Sequence, residues 1–190
     1  MSLEGWALGI SVLALFVAIT KDFILPFMFK PKILLEGIDD EECIENAVEM
    51  GGTKSRWVRL RLINERGFFS RTAKGCYIKV LRIKDDKGNK IVPFESLPLP
   101  WVSYDNFSGG RYDLGVGEYH MIDLVHEYDN QRILRLKIPM PIELRKQENV
   151  KLKPGIYHIE VAVYGDNFNS KKGNFKVKLT KNFGELNFAK

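Results

Sequence analysis

A mainly β, antiparallel sandwich behind a single N-terminal hydrophobic helix is the fold class this sequence predicts. Three observations carry it. Gly5 to Thr20 is an uncharged, mostly apolar run. From Lys32 onward the apolar residues recur with period two rather than 3.6. Gly, Pro, Asn and Asp clusters punctuate those runs where hairpin turns are needed.

The first element is the helix. Alone, Gly5–Thr20 spans about 24 Å, short of a hydrocarbon core of ~30 Å. Only Lys21 and Asp22 separate it from the apolar stretch Phe23 to Phe29, and together they reach about 37 Å. Lys21 is able to snorkel, and Pro26 should kink or stop the helix. A signal peptide needs a basic leader, but Met1-Ser2-Leu3-Glu4 precedes the run, and Val17-Ala18-Ile19-Thr20 is a poor cleavage site. A helix apolar all round, in a chain with no other helical pattern, has no bundle to hide in. The expectation is therefore a retained anchor over residues 1–30, contacting lipid through residues 5–29. Lys21, Lys30 and Lys32 follow the span while Glu4 precedes it. The positive-inside rule then orients it N-out/C-in, with the β-domain of residues 31–190 on the cytoplasmic side and Cys43 and Cys76 as reduced thiols.

The strands follow in order near 32–38, 55–64, 74–84, 89–95, 116–126, 132–139, 156–164 and 172–180, with a further candidate at 184–188. Val58, Leu60 and Leu62 alternate with Arg59 and Arg61. Cys76, Ile78 and Val80 alternate with Tyr77 and Lys79, and Phe175, Val177 and Leu179 with Lys176 and Lys178. One apolar and one wet face is the pattern of a two-sheet packing, and the loop lengths favour an immunoglobulin-like sandwich over a closed barrel. Asp86-Lys87-Gly88-Asn89 and Gly165-Asp166-Asn167 read as turns, and Gly115-Val116-Gly117 as a turn entering a strand. Lys153-Pro154-Gly155 has Pro and Gly where a type II turn wants them. Gly37–Thr53 reads as an acidic loop or edge hairpin, and Phe94–Tyr112 as a long irregular connection.

Composition narrows the chemistry. With 190 residues, 45% hydrophobic and 28% charged, one globular domain is the default. Two cysteines are too few for a disulfide scaffold, and three histidines leave little room for zinc. In His120-x-x-Asp123-x-x-His126 a regular strand would put the histidines on one face about 20 Å apart, with Asp123 opposite, so no metal is expected. Cys76 lies on the apolar phase of its strand, as a buried small hydrophobe rather than a nucleophile. Neither a nucleophile elbow, nor a P-loop, nor a dinucleotide fingerprint is present. No catalytic residue, cofactor or small-molecule substrate is implied, and the chain reads as a non-enzyme.

Charge is segregated along the chain. Residues 33–53 carry seven acids and no base, whereas residues 54–90 carry twelve Lys and Arg against three acids. Asp39-Asp40-Glu41-Glu42 is most simply solvated. Arg59 and Arg61 share a face, as do Lys176 and Lys178, and are candidates for an electrostatic surface toward anionic lipid or nucleic acid. The same cations would also serve solubility and edge protection, and Trp57 beside the arginines would either join that surface or cap the core. Trp101, Tyr104, Phe107 and Tyr112, in the long aromatic connection, are the candidate contacts for a protein partner.

Several short stretches in fixed order complete this reading. They are Leu60-Arg61-Leu62-Ile63-Asn64, Thr72-Ala73-Lys74-Gly75-Cys76, Leu99-Pro100-Trp101, Asp113 to Glu118, and Pro154-Gly155-Ile156-Tyr157 running on to Val163-Tyr164-Gly165-Asp166-Asn167. Over about residues 55–180 the chain resembles a loose group of uncharacterised prokaryotic proteins, each with one hydrophobic helix before an immunoglobulin-like β-domain. The resemblance implies a fold and no activity. The functional expectation is a membrane-tethered, non-enzymatic binding module, with a basic domain docking on lipid or nucleic acid as the alternative and an enzyme with an unrecognised site as a second.

Overall fold

The computed structural model describes residues 3–48, 52–91, 97–99, 101–102, 110–129, 131–136 and 152–189. The chain opens with helix α1 (Leu3–Ile19), passes through a π turn (Thr20–Ile24) and continues as α2 (Leu25–Met28). Pro26 has no N–H to give, and just before it the backbone loosens so that the Leu25 N–H reaches the Thr20 carbonyl. The hydroxyls of Ser11 and Thr20 donate to the carbonyls of Ala7 and Phe16, at 2.9 and 2.8 Å, so neither is left without a partner. No helix among the described residues is by itself long and apolar enough to cross a membrane. The expected single long span is instead divided, with 17 residues in α1 before the π turn.

Two antiparallel sheets follow. The first is built on β3 (Lys54–Asn64), which pairs along one edge with β1 (Ile33–Glu36) and β2 (Ile44–Val48). On its other edge lies β7 (Tyr119–Tyr128), and then β8 (Gln131–Leu136). The second sheet has the order β11 (Asn187–Phe188), β10 (Lys171–Leu179), β9 (Gly155–Tyr164), β4 (Ala73–Asp85), β5 (Leu97–Leu99), with β6 (Tyr112–Leu114) also on β4. Leu60, Leu62, Ile122 and Leu124 from the first sheet and Ile78, Val80, Ile159, Val161 and Val177 from the second share one buried cluster. The architecture is mainly β and sandwich-like, as the period-two pattern predicts.

Several local expectations change. The acidic stretch is an edge hairpin, whose β2 strand pairs Ile44 with Val58 and Val48 with Lys54. The irregular connection contributes β5 and β6, and Trp101 bridges to Ile122. Of the strand expected at 89–95, Lys90 makes only an isolated bridge to Lys84, and 92–96 lie outside the described residues. The turn before it forms as expected: Gly88 has φ of 82° and its N–H reaches the Asp85 carbonyl at 2.9 Å. Pro154-Gly155 does not make the type II turn, because Gly155 has no positive φ and is the first residue of β9. The two histidines do not share a face either. A bulge opposite Val58/Arg59 leaves Leu124 unpaired and flips the alternation, so His126 falls in phase with Asp123 and His120 in the opposite phase.

Candidate functional site

The basic stripe of β3 is not open. Arg59 forms ion pairs with Asp123, at 2.9 Å, and with Glu45. Arg61 reaches Asp40 at 2.8 Å and Glu42 at 2.7 Å, and lies 5.3 Å over the Tyr119 ring. Both side chains are largely covered, at 14% and 16% exposure. The acidic loop and β2 therefore fold back onto the basic face, correcting the free arginine stripe; of the acids expected to be solvated, Asp39, Glu41 and Glu42 are exposed and Asp40 is half-buried. Asp39 is engaged as well, accepting the Phe188 N–H at 3.0 Å. Trp57 is buried beside the arginines. It stacks on His126 with ring centroids 4.3 Å apart and donates to Ser55 Oγ at 2.9 Å.

Trp101 is likewise enclosed. Its side chain is 6% exposed and its indole N–H donates to the Gly110 carbonyl at 2.8 Å. Half-buried Tyr112 and His120 flank it, with centroids 5.9 and 6.1 Å away. Burial lowers the His120 pKa against the opposing charge of Glu118, favouring the neutral ring. Trp101 thus closes the core rather than presenting a contact surface, Tyr112 supports it, and Tyr104 and Phe107 lie outside the described residues.

The other pair of candidates belongs to a wider surface. On the outer face of the second sheet the register aligns Lys79, Ala162 and Lys172; then Arg82, Glu160 and Asn174; then Lys84, His158 and Lys176. Lys178 follows opposite Ile156. Six cations in these rows therefore surround Glu160, which has Arg82 at 3.6 Å and Lys172 at 3.8 Å, while Asp86 at the margin of the face lies 3.8 Å from His158. A shallow hollow of about 330 Å³ opens beside the turn after β4, lined by Arg82, Lys84, His158, Glu160 and Asn174 together with Asp85, Asp86 and Gly88. Lys178 is exposed and Lys176 half-buried. Sequence reasoning missed Lys79, Arg82, Lys84 and Lys172 as members. Their charge was visible, but a bulge between Val80 and Arg82 shifts the phase of β4 and hides the common face.

The thiols are built into the core. Burial raises Cys43 to about 11, helped by the nearby Asp40 charge, and raises Cys76 to about 11, helped by Asp113 and Asp166. Both stay protonated near neutral pH. Among the described residues no group of three or more His, Cys, Asp or Glu is placed to hold a metal ion.

No family model matches the chain, and no curated protein matches it. Among solved structures, a family 123 glycoside hydrolase from Clostridium perfringens is similar over 70% of this chain and 22% of that chain, with 12% identity and a TM-score of 0.34. A similarity that low carries no argument about fold or activity.

Proposed function

We propose that the chain is a membrane-tethered, non-enzymatic binding module. Residues 1–30 anchor it, and residues 31–190 form a sandwich whose basic sheet face engages an acidic protein surface. One observation supports the tether above all. Every side chain from Trp6 to Ile19 is exposed, on all faces of α1, and nearly all are apolar. Water is a costly surround for such a rod, at about 1.5–3 kcal/mol for each large apolar side chain left exposed. Helix α1, the π turn and α2 follow one another without a break, and at 1.5 Å per residue the rod measures roughly 39 Å, enough for a core of ~30 Å. Lys30 and Lys32, which follow the rod, favour an N-out/C-in orientation with the sandwich on the cytoplasmic side.

The pairing β1-β3-β7 in one sheet and β4-β9-β10 in the other supports an immunoglobulin-like reading of the sandwich. The six-cation face supports an acidic partner, which it would steer and orient electrostatically. Protonated buried thiols and a His120 whose pKa is lowered by burial in an aromatic wedge support binding rather than nucleophilic chemistry.

Fractionation of cells expressing the full chain tests the tether. It should resist alkaline carbonate and enter solution only with detergent, and recovery in the aqueous fraction sinks the proposal. Amine cross-linking in intact membranes tests the face. Products should disappear from an Arg82→Glu, Lys84→Glu, Lys178→Glu variant and persist in Lys54→Glu, a substitution on the other sheet.

A further inference from the structure

Among the described residues, the most exposed large apolar side chain of the sandwich is Phe68, at 95%. It crowns the β3–β4 connection, a formed turn rather than a loose tip. The Ser70 N–H reaches the Gly67 carbonyl at 3.0 Å, and the Ser70 hydroxyl donates to the Glu65 carbonyl at 2.9 Å. Its base is held from both sides. Asn64 Nδ2 donates to the Arg71 carbonyl at 2.7 Å, and Asn167 Nδ2 to the Thr72 carbonyl at 2.9 Å. The turn therefore holds Phe68 outward. Phe69, 41% exposed, meets Phe68 edge to face at 4.8 Å and Phe29 edge to face at 5.1 Å. Phe29 caps α2. The apolar surface of the helix thus runs on, ring to ring, into the sandwich.

Cations surround this row. Arg71 lies 4.7 Å over the Phe29 ring. Lys30 and Lys171 line the hollow that Met28 and Phe69 share. Nearby acids are engaged: Glu65 by Lys32 at 2.8 Å, and Asp166 by Arg111.

We propose that the β3–β4 tip is a second membrane contact, with Phe68 and Phe69 seated at the headgroup–acyl boundary beside the anchor and Lys30, Arg71 and Lys171 facing anionic headgroups. The inference rests on the tethered reading, because an inserted helix sets Phe29 at the interface and ring contact sets Phe69 at the same depth. Aromatic side chains rimmed by Lys and Arg are what that interface accepts. The sandwich would then stand on this end. Lys178 lies roughly 23 Å along β10 from Lys171, at ~3.3 Å per residue, which keeps the far part of the basic face away from lipid and open to a partner.

The full chain, reconstituted in vesicles of phosphatidylcholine with or without phosphatidylglycerol, tests this. An environment-sensitive fluorophore is attached to Phe68→Cys, Leu13→Cys or Lys178→Cys, the two native thiols being buried. Labels at 68 and 13 should emit to the blue and be quenched several-fold less by aqueous acrylamide than the label at 178. Protection at 68 should be greater with phosphatidylglycerol, and a Lys30→Glu, Lys171→Glu background should remove that difference. A label at 68 quenched as strongly as at 178, with 13 protected, overturns the tip contact and leaves the anchor standing. Strong quenching at 13 overturns the tether itself. Protection at 68 indifferent to phosphatidylglycerol overturns the role given to the cations.

Discussion

At the scale of single residues, the same charge has opposite consequences in different places. Arg61 is covered and bound to two carboxylates, whereas Lys178 stands exposed. Arg61→Ala should therefore cost about 1–2 kcal/mol in urea denaturation, and Lys178→Ala within about 0.5 kcal/mol. Asp40 makes the same point through pH. Burial works against its charge, but the Cys43 N–H at 2.6 Å and the Arg61 guanidinium outweigh that and hold its pKa below the ordinary value of 3.8. A depressed folded pKa contributes stability above the unfolded value, and that contribution is lost as pH falls through the lower folded one. The fall in stability below about pH 4 should therefore be shallower in Asp40→Asn than in the parent chain. At Cys43 and Cys76, native protein should react slowly with a thiol reagent and unfolded protein rapidly at both positions.

At the scale of elements, the joints between strands decide which surfaces exist. Asn64, fully buried at the end of β3, donates to the carbonyls of Arg71 at 2.7 Å and Leu114 at 3.0 Å and accepts the Lys32 N–H at 3.2 Å. One side chain thus ties the entry to β1, the β3–β4 turn and the end of β6. Asn64→Ala should lower stability by about 2–4 kcal/mol, as three bonds to buried or half-buried groups are lost. Hydrogen exchange should rise first in residues 65–72. The bulges work in the same way, each moving one strand's side chains to the other face. The Leu124 bulge carries His126 onto Trp57, and the Leu81 bulge brings Arg82 and Lys84 onto the face of Lys176.

At the scale of the whole molecule, charge is sorted into a neutralised surface and a basic one. The acidic residues of 36–45 neutralise the outer face of β3, while the outer face of the second sheet keeps its cations around Glu160. Raised salt should accordingly weaken attachment of an acidic protein to the second face with little change in unfolding midpoint. A co-sedimentation assay on membranes carrying the full chain, read beside urea melts at the same salt, would register both.

The sequence by itself determined the long alternating strands and the exposed apolar helix, because alternation and an uninterrupted apolar run are local properties that the backbone converts directly into faces. Val58, Leu60 and Leu62 went inward as their spacing requires, and Trp6 to Ile19 turned outward on every side. Only the tertiary structure decided which cations are covered by acids and which gather on one face. Glu42 and Arg61 lie far apart in the chain and meet across a strand edge, and Lys84 joins Lys176 through one unpaired residue in a bulge. Trp101, expected at a contact surface, is enclosed, and Phe68, on which the sequence set no expectation, stands clear, for a related reason. Burial depends on what folds over a side chain, and neither loop's composition states whether a strand crosses it or a turn lifts it clear.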